Sequence, residues 1–99
     1  MPPVYFVVQN TITDQEKLDE YLAQAGATMP SEGVCLLVAD DAPKTMEGDA
    51  PHQRLVIAEF DSEERFQTWY DSPGYTEARQ LRLDGFEGFA LLAAGFEPG

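Results

Sequence analysis

The sequence predicts an α+β fold, a four-stranded antiparallel sheet with helices on one face, from three observations. Four runs dense in β-branched, aromatic or other apolar residues fall at residues 4–10, 34–39, 55–60 and 86–94. Segments with helical spacing and helix-start signals separate the first run from the second and the third from the fourth. The second and third runs are joined instead by residues 40–49, which have no periodicity and hold Asp, Pro and Gly. The resulting order is β-α-β-β-α-β, the ferredoxin-like or split βαβ arrangement, and right-handed crossovers put both helices on the same face of the sheet.

Each element has a local reason. The first strand ends at Thr11-Ile12-Thr13-Asp14, and Thr13 with Glu16 has capping-box spacing, a hydroxyl at the cap and a carboxylate three residues on. Leu18, Tyr21, Leu22, Ala25 and Met29 then form one stripe of an amphipathic helix, which Pro30 and Gly33 close. Residues 40–49 read as an exposed hairpin loop. Asp61 or Ser62 caps the next helix, whose apolar face is Phe66, Trp69 and Tyr70. Ser72-Pro73 restarts a short helix, with Ser as cap and Pro in its first turn, carrying Tyr75, Ala78 and Leu81 as far as Gly85. The first three strands are almost continuously apolar, as strands buried on both faces are. Helices cover only one face, so a second copy of the chain is expected on the other, giving a homodimer with its sheets face to face.

Composition narrows the function classes. At 99 residues the chain is expected to be one domain with a core of its own, and 43% hydrophobic residues argue against global disorder. Six basic residues against 18 acidic ones give a net charge of −12, a field that repels phosphate backbones and anionic lipid, so neither nucleic acid nor membrane is an expected partner. No apolar run approaches the ~20 residues that span a bilayer. The single Cys35 excludes an internal disulfide and reads as a small buried hydrophobe. The chain is expected to be soluble and cytoplasmic.

A set of motifs goes further than composition. Glu47-Gly48, Pro51-x-x-Arg54, Glu59-Phe60-x-Ser62, Trp69-Tyr70-x-Ser72-Pro73-x-Tyr75 and Leu81-Arg82 follow one another through the second half. With Tyr5-Phe6-Val7 and Ile12-Thr13-Asp14 near the start, this pattern resembles the domain of unknown function 1330 family over nearly the whole chain. The resemblance implies a dimeric α/β-barrel protein and, because the family has no established biochemical role, implies no reaction. The sequence departs from the family at Ser31-Glu32-Gly33, where a Gly-Gly pair usually precedes the second strand.

Candidate chemistry is concentrated between Pro51 and Arg82. Arg54 and Arg82 present planar guanidinium forks suited to a carboxylate or another small anion, with an ion pair to Glu59 or a nearby Asp as the structural alternative. Glu59, inside an apolar strand and on the face opposite to Arg54, would serve as a general base if unpaired, or would simply stay ionised if paired with Arg82. His52 is the sole imidazole. Without a second His or Cys it does not make a zinc or copper site, and it reads as an exposed loop histidine, with general-base or haem use left open. Tyr5, Tyr70 and Tyr75 are candidates to line a ligand pocket and orient its occupant, whereas Trp69 reads as core. Asp40, Asp41, Glu47 and Asp49 lack EF-hand spacing and read as a solvated loop. No phosphate loop, Cys-x-x-Cys or nucleophile elbow occurs, so neither a metal nor a cofactor is expected. Two functions follow: a small-molecule enzyme acting on a small anionic ligand held between sheet and helices, or a non-catalytic binding or stress-associated homodimer.

Overall fold

Alternation along the first strand organises the molecule. A computed structural model describes residues 3–29, 33–49 and 53–96. In it β1 (Val4–Ile12) buries Val4, Phe6, Val8 and Asn10 while the residues between them are half-buried, the period of two that a pleated strand imposes. The other elements follow as α1 (Gln15–Thr28), β2 (Val34–Asp40), β3 (Arg54–Phe60), α2 (Glu63–Tyr70), α3 (Pro73–Gly85) and β4 (Phe86–Ala94). β1 pairs antiparallel with β3, from Val4↔Phe60 to Asn10↔Arg54, and with β4, from Val4↔Ala94 to Ile12↔Phe86. β2 lies outside β3, so the sheet order is β2-β3-β1-β4. This is the α+β, ferredoxin-like arrangement expected from the sequence, with the second helical segment split in two.

The helix starts are set by single side chains. Asp14, not Thr13, caps α1: its carboxylate accepts from the Lys17 backbone N–H at 3.2 Å. The Thr13 and Asp14 backbone N–H groups donate to the Gly85 carbonyl at 2.9 and 3.2 Å instead, which ties the start of α1 to the end of α3. Ser62 and Ser72 cap α2 and α3 through the N–H groups of Arg65 and Tyr75. Between them, extended Ser72 and the missing N–H of Pro73 force the chain to start a new helix.

The core lies between the helices and the even-numbered face of β1 and β3. Phe6, Phe60, Phe66, Trp69 and Tyr75 pack there, Phe66 standing 5.1 Å from both Phe6 and Phe60 and Trp69 3.9 Å from Tyr75, centroid to centroid. Fully burying one such ring contributes roughly 1.5–3 kcal/mol, so this cluster is the main hydrophobic anchor of the helices. The reading of the first three strands as buried on both faces is corrected at β2. Cys35 is exposed, since it sits on the sheet face away from the helices, at an edge strand that only β3 flanks. Leu22 and Met29, read as part of the α1 core stripe, are also exposed, because they face a gap between α1 and β2 that Leu36 and Ala39 line from the other side. Two glycines are fixed by geometry. Gly33 has φ +77° and takes the Asp61 N–H on its carbonyl at 2.9 Å. Gly88 has φ +147°, and a Cβ there would fall on the Gln9 carbonyl oxygen. Among the described residues, no helix is long and apolar enough to cross a membrane.

Candidate functional site

A cavity opens between the sheet and the helix layer above it. It has a volume of about 390 Å³ and lies between α1, α3 and the helix-facing side of β1, β2 and β3, a size ordinary for small-molecule sites. Most of its wall is apolar, from Phe6, Val8, Val34 and Val56 on the sheet to Ala25 and Met29 on α1. Its polar groups come from four different elements. Asn10 and Arg54 are cross-strand partners at the end of β1 and the start of β3, and Tyr21 and Arg82 reach in from α1 and α3.

The electrostatics of this end are unbalanced. Arg82 is only 6% exposed, and its Nε is buried without a hydrogen-bond partner among the described residues. Arg54 makes an ion pair from Nε to Asp41 Oδ1 at 3.0 Å, but Asp41 is 89% exposed, so that pair is weakened by solvent. A buried guanidinium lacking a counter-charge is costly unless something supplies one. Burial pushes the Tyr21 phenol well above its ordinary range; Tyr75 adds to the rise, while Arg82 and Arg54 pull against it. Tyr21 therefore remains a neutral hydroxyl at any physiological pH. Its oxygen lies 2.8 Å from that of Tyr75, and Tyr75 is fully buried. If the Tyr75 hydroxyl donates in that bond, the Tyr21 proton is left to point at whatever fills the cavity.

The residues singled out in the sequence divide into three groups. Arg54 and Arg82 line the cavity. Tyr75 stands one hydrogen bond behind it, and Tyr70 lies outside its wall, stacked on Phe66 at 5.2 Å with the Arg79 guanidinium 4.3 Å over its ring. Tyr5 and Glu59 are cross-strand partners on the opposite face of the sheet, where the Glu59 carboxylate, hydrogen-bonded to the Tyr5 phenol, raises its pKa. The Glu59–Arg82 pairing is thereby excluded, for the sheet stands between them. His52 lies outside the described residues. In the acidic loop Asp41 holds Arg54 and Asp40 accepts from the Ala42 N–H. Among the described residues no three His, Cys, Asp or Glu side chains gather as a metal site would require. Sequence reasoning missed Tyr21 and Asn10. Asn10 had a signal: it extends the inward series Val4, Phe6, Val8, and a polar residue at an inward position calls for a partner. Tyr21 had none, since a Tyr on an apolar helix stripe reads as core.

Comparison with known proteins adds a family. Residues 3–96 match the family described as Domain of unknown function (DUF1330). The chain belongs to that family. No curated protein matches it. Among solved structures, a protein of unknown function from Rhodopseudomonas palustris superposes on this DUF1330 chain with a TM-score of 0.81 at 16% identity, covering 98% of this chain and 85% of its own. SnoaB, a cofactor-independent oxygenase from Streptomyces nogalater, gives 0.66 at 17% identity over 98% and 96% of the two chains. A dimeric ferredoxin-like protein of unknown function from Thermobifida fusca gives 0.62 at 16% over 95% and 92%. At these identities the likeness is one of fold.

Proposed function

We propose that this DUF1330 protein binds a small organic anion in the cavity between sheet and helices, with Arg54 and Arg82 as its anchors, and acts on it as a small-molecule enzyme. The observation that carries the reading is the Arg82 guanidinium, buried in an apolar-walled cavity with its Nε unpartnered. A ligand carboxylate would supply the missing charge through charge-assisted hydrogen bonds. Tyr75 holds Tyr21 in place to add a neutral donor, and Tyr70 backs the aromatic cluster behind them. Of the two groups considered for proton transfer, Glu59 faces away from the cavity beside Tyr5, which suits a role at a subunit interface. His52, the other group considered for proton transfer, lies outside the described residues and is carried as a candidate from the sequence alone. The oxygenase activity of SnoaB supports an enzyme only by analogy of fold.

The protein is further proposed to be a homodimer joined through the open sheet face. Val7, Ile57 and Leu91 lie on that face, with Leu91 exposed, and contiguous apolar surface of this kind marks an interface. The dimeric ferredoxin-like protein from Thermobifida fusca, similar in fold, supports a dimer. A cytoplasmic setting suits the exposed free thiol of Cys35, and the charge of −12 weighs against nucleic acid.

Thermal unfolding in the presence of small carboxylates tests the anion site. A ligand at one hundred times its Kd would add about 2.7 kcal/mol of stability. Without ligand, Arg82→Met is expected to be neutral or stabilising, because it removes an uncompensated buried charge, and it should abolish the ligand-induced shift while the dimer persists. If no carboxylate raises the melting temperature of the wild-type protein, the non-catalytic dimer becomes the better reading.

A further inference from the structure

We infer that the ligand is an amphipathic monocarboxylate of medium length, seated with its carboxylate at Arg82 and its apolar tail directed along the strands toward Leu36. The inference rests on the anion-binding reading above and adds the ligand's charge, length and direction.

Polarity in the cavity changes in one direction. The helix-facing residues of β1 run Asn10, Val8, Phe6, and their partners on β3 run Arg54, Val56, Ala58, so both strands pass from polar to apolar side by side. On α1 the sequence Tyr21, Ala25, Met29 does the same. Arg82 belongs to the polar end, since it and Arg54 both act on the Tyr21 hydroxyl. The apolar wall is also the more open one: Leu36 is 63%, Leu22 45% and Met29 38% exposed. A ligand polar throughout would find nothing to bond along that wall, whereas an alkyl or aryl tail would cover it.

Charge sets the head group. Arg54 already faces Asp41, while Arg82 has no counter-charge among the described residues, so one of the two guanidinium groups calls for an anion, which suits a monoanion and not a dianion. Length follows from the strand. From Arg54 to Ala58 is four residues, roughly 13 Å at ~3.3 Å each, about the span of an extended ten-carbon acid.

Calorimetric titration of the full-length protein with straight-chain acids from butanoate to dodecanoate tests this, with decanol and decanedioate as controls. Affinity should rise about fourfold per methylene, the value for a buried CH₂, and level off near ten carbons. Decanoate should bind at least tenfold more tightly than decanol, and Arg82→Met should erase that preference, weakening decanoate far more than decanol. Leu36→Glu, at an exposed wall position that leaves folding intact, should weaken decanoate at least tenfold and leave butanoate unaffected. Equal affinity for butanoate and decanoate would overturn the tail, though an anion site would remain. Tighter binding of decanedioate would overturn the single charge. Decanol binding as well as decanoate, with Arg82→Met without effect, would mean adsorption to an apolar surface and would also overturn it. Should no carboxylate bind at all, the anion-binding reading fails with it.

Discussion

Removing the phenol oxygen of Tyr21 is expected to cost more stability than removing that of Tyr75, although the two share one hydrogen bond of 2.8 Å. The difference lies in what each deletion leaves behind. Tyr75 is fully buried, whereas Tyr21 lines the cavity. In Tyr75→Phe the bond is lost but the Tyr21 hydroxyl can still meet water in the cavity, so the cost is the net value of one hydrogen bond, about 1 kcal/mol. In Tyr21→Phe the Tyr75 hydroxyl is stranded without a partner, and the desolvation penalty raises the cost to about 2–3 kcal/mol. The double variant strands nothing and should lose only about 1 kcal/mol, less than Tyr21→Phe alone. Urea unfolding of the four proteins measures the cycle, at one fixed protein concentration because the proposed dimer would add a mass-action term. In melting temperature the single variants should differ by several degrees, at roughly 4–8 °C per kcal/mol for a chain of this size. A Tyr75→Phe loss equal to or above that of Tyr21→Phe, or a double variant equal to the sum of the singles, would refute the reasoning.

Three further outcomes follow from other parts of the molecule. The Tyr21 pKa is raised by burial, so its contribution to stability is complete below the unfolded value near 10 and is lost as pH rises above it; urea unfolding between pH 9 and 11 should show the stability of Tyr21→Phe, lower at neutral pH, falling less steeply with pH than that of the wild-type protein. Gly88→Ala should destabilise by about 2 kcal/mol or more, since φ +147° disfavours any side chain and the Gln9 carbonyl oxygen occupies the Cβ position; a wild-type melting temperature would contradict that geometry. Leu91→Glu, placing a charge on the open sheet face, should shift the protein from dimer to monomer in size-exclusion chromatography with light scattering, and an unchanged mass would remove that face as the interface.

The order and ends of the elements were legible because they depend on local chemistry. β-branched and aromatic runs, Ser62 and Ser72 as caps and the Ser72-Pro73 break act within a few residues, and the strands lie within two residues of their expected limits. One cap was misread by a single position. Thr13 and Asp14 are adjacent candidates, and only the long-range bond from Thr13 to Gly85 decides between them. Burial was less legible, because it depends on which strand becomes an edge. Cys35 and Leu36 sit in an apolar run equal to any other, yet lie exposed at β2. The candidate site was half legible: Arg54 and Arg82 are unusual charges in apolar surroundings and drew attention, and the alternation that set Glu59 on the face opposite to Arg54 holds, which takes Glu59 away from the cavity. Tyr21 lines the cavity because α1 stands over a gap beside the sheet, which no spacing in the sequence records.

The alternation along β1 constrains how such a chain can change over time. Val4, Phe6, Val8 and Asn10 serve the core and cavity, while Tyr5 and Val7 serve the other face of the sheet. Two sets of requirements are interleaved letter by letter on one strand, so point substitutions can change the cavity lining and the open sheet face independently. A one-residue insertion would exchange them along the strand beyond it, sending Asn10 outward and Gln9 into the core. Changes of length are therefore confined to stretches such as 41–49, whose residues are almost all exposed, and the cavity lining can vary while the opposite face of the sheet stays as it is.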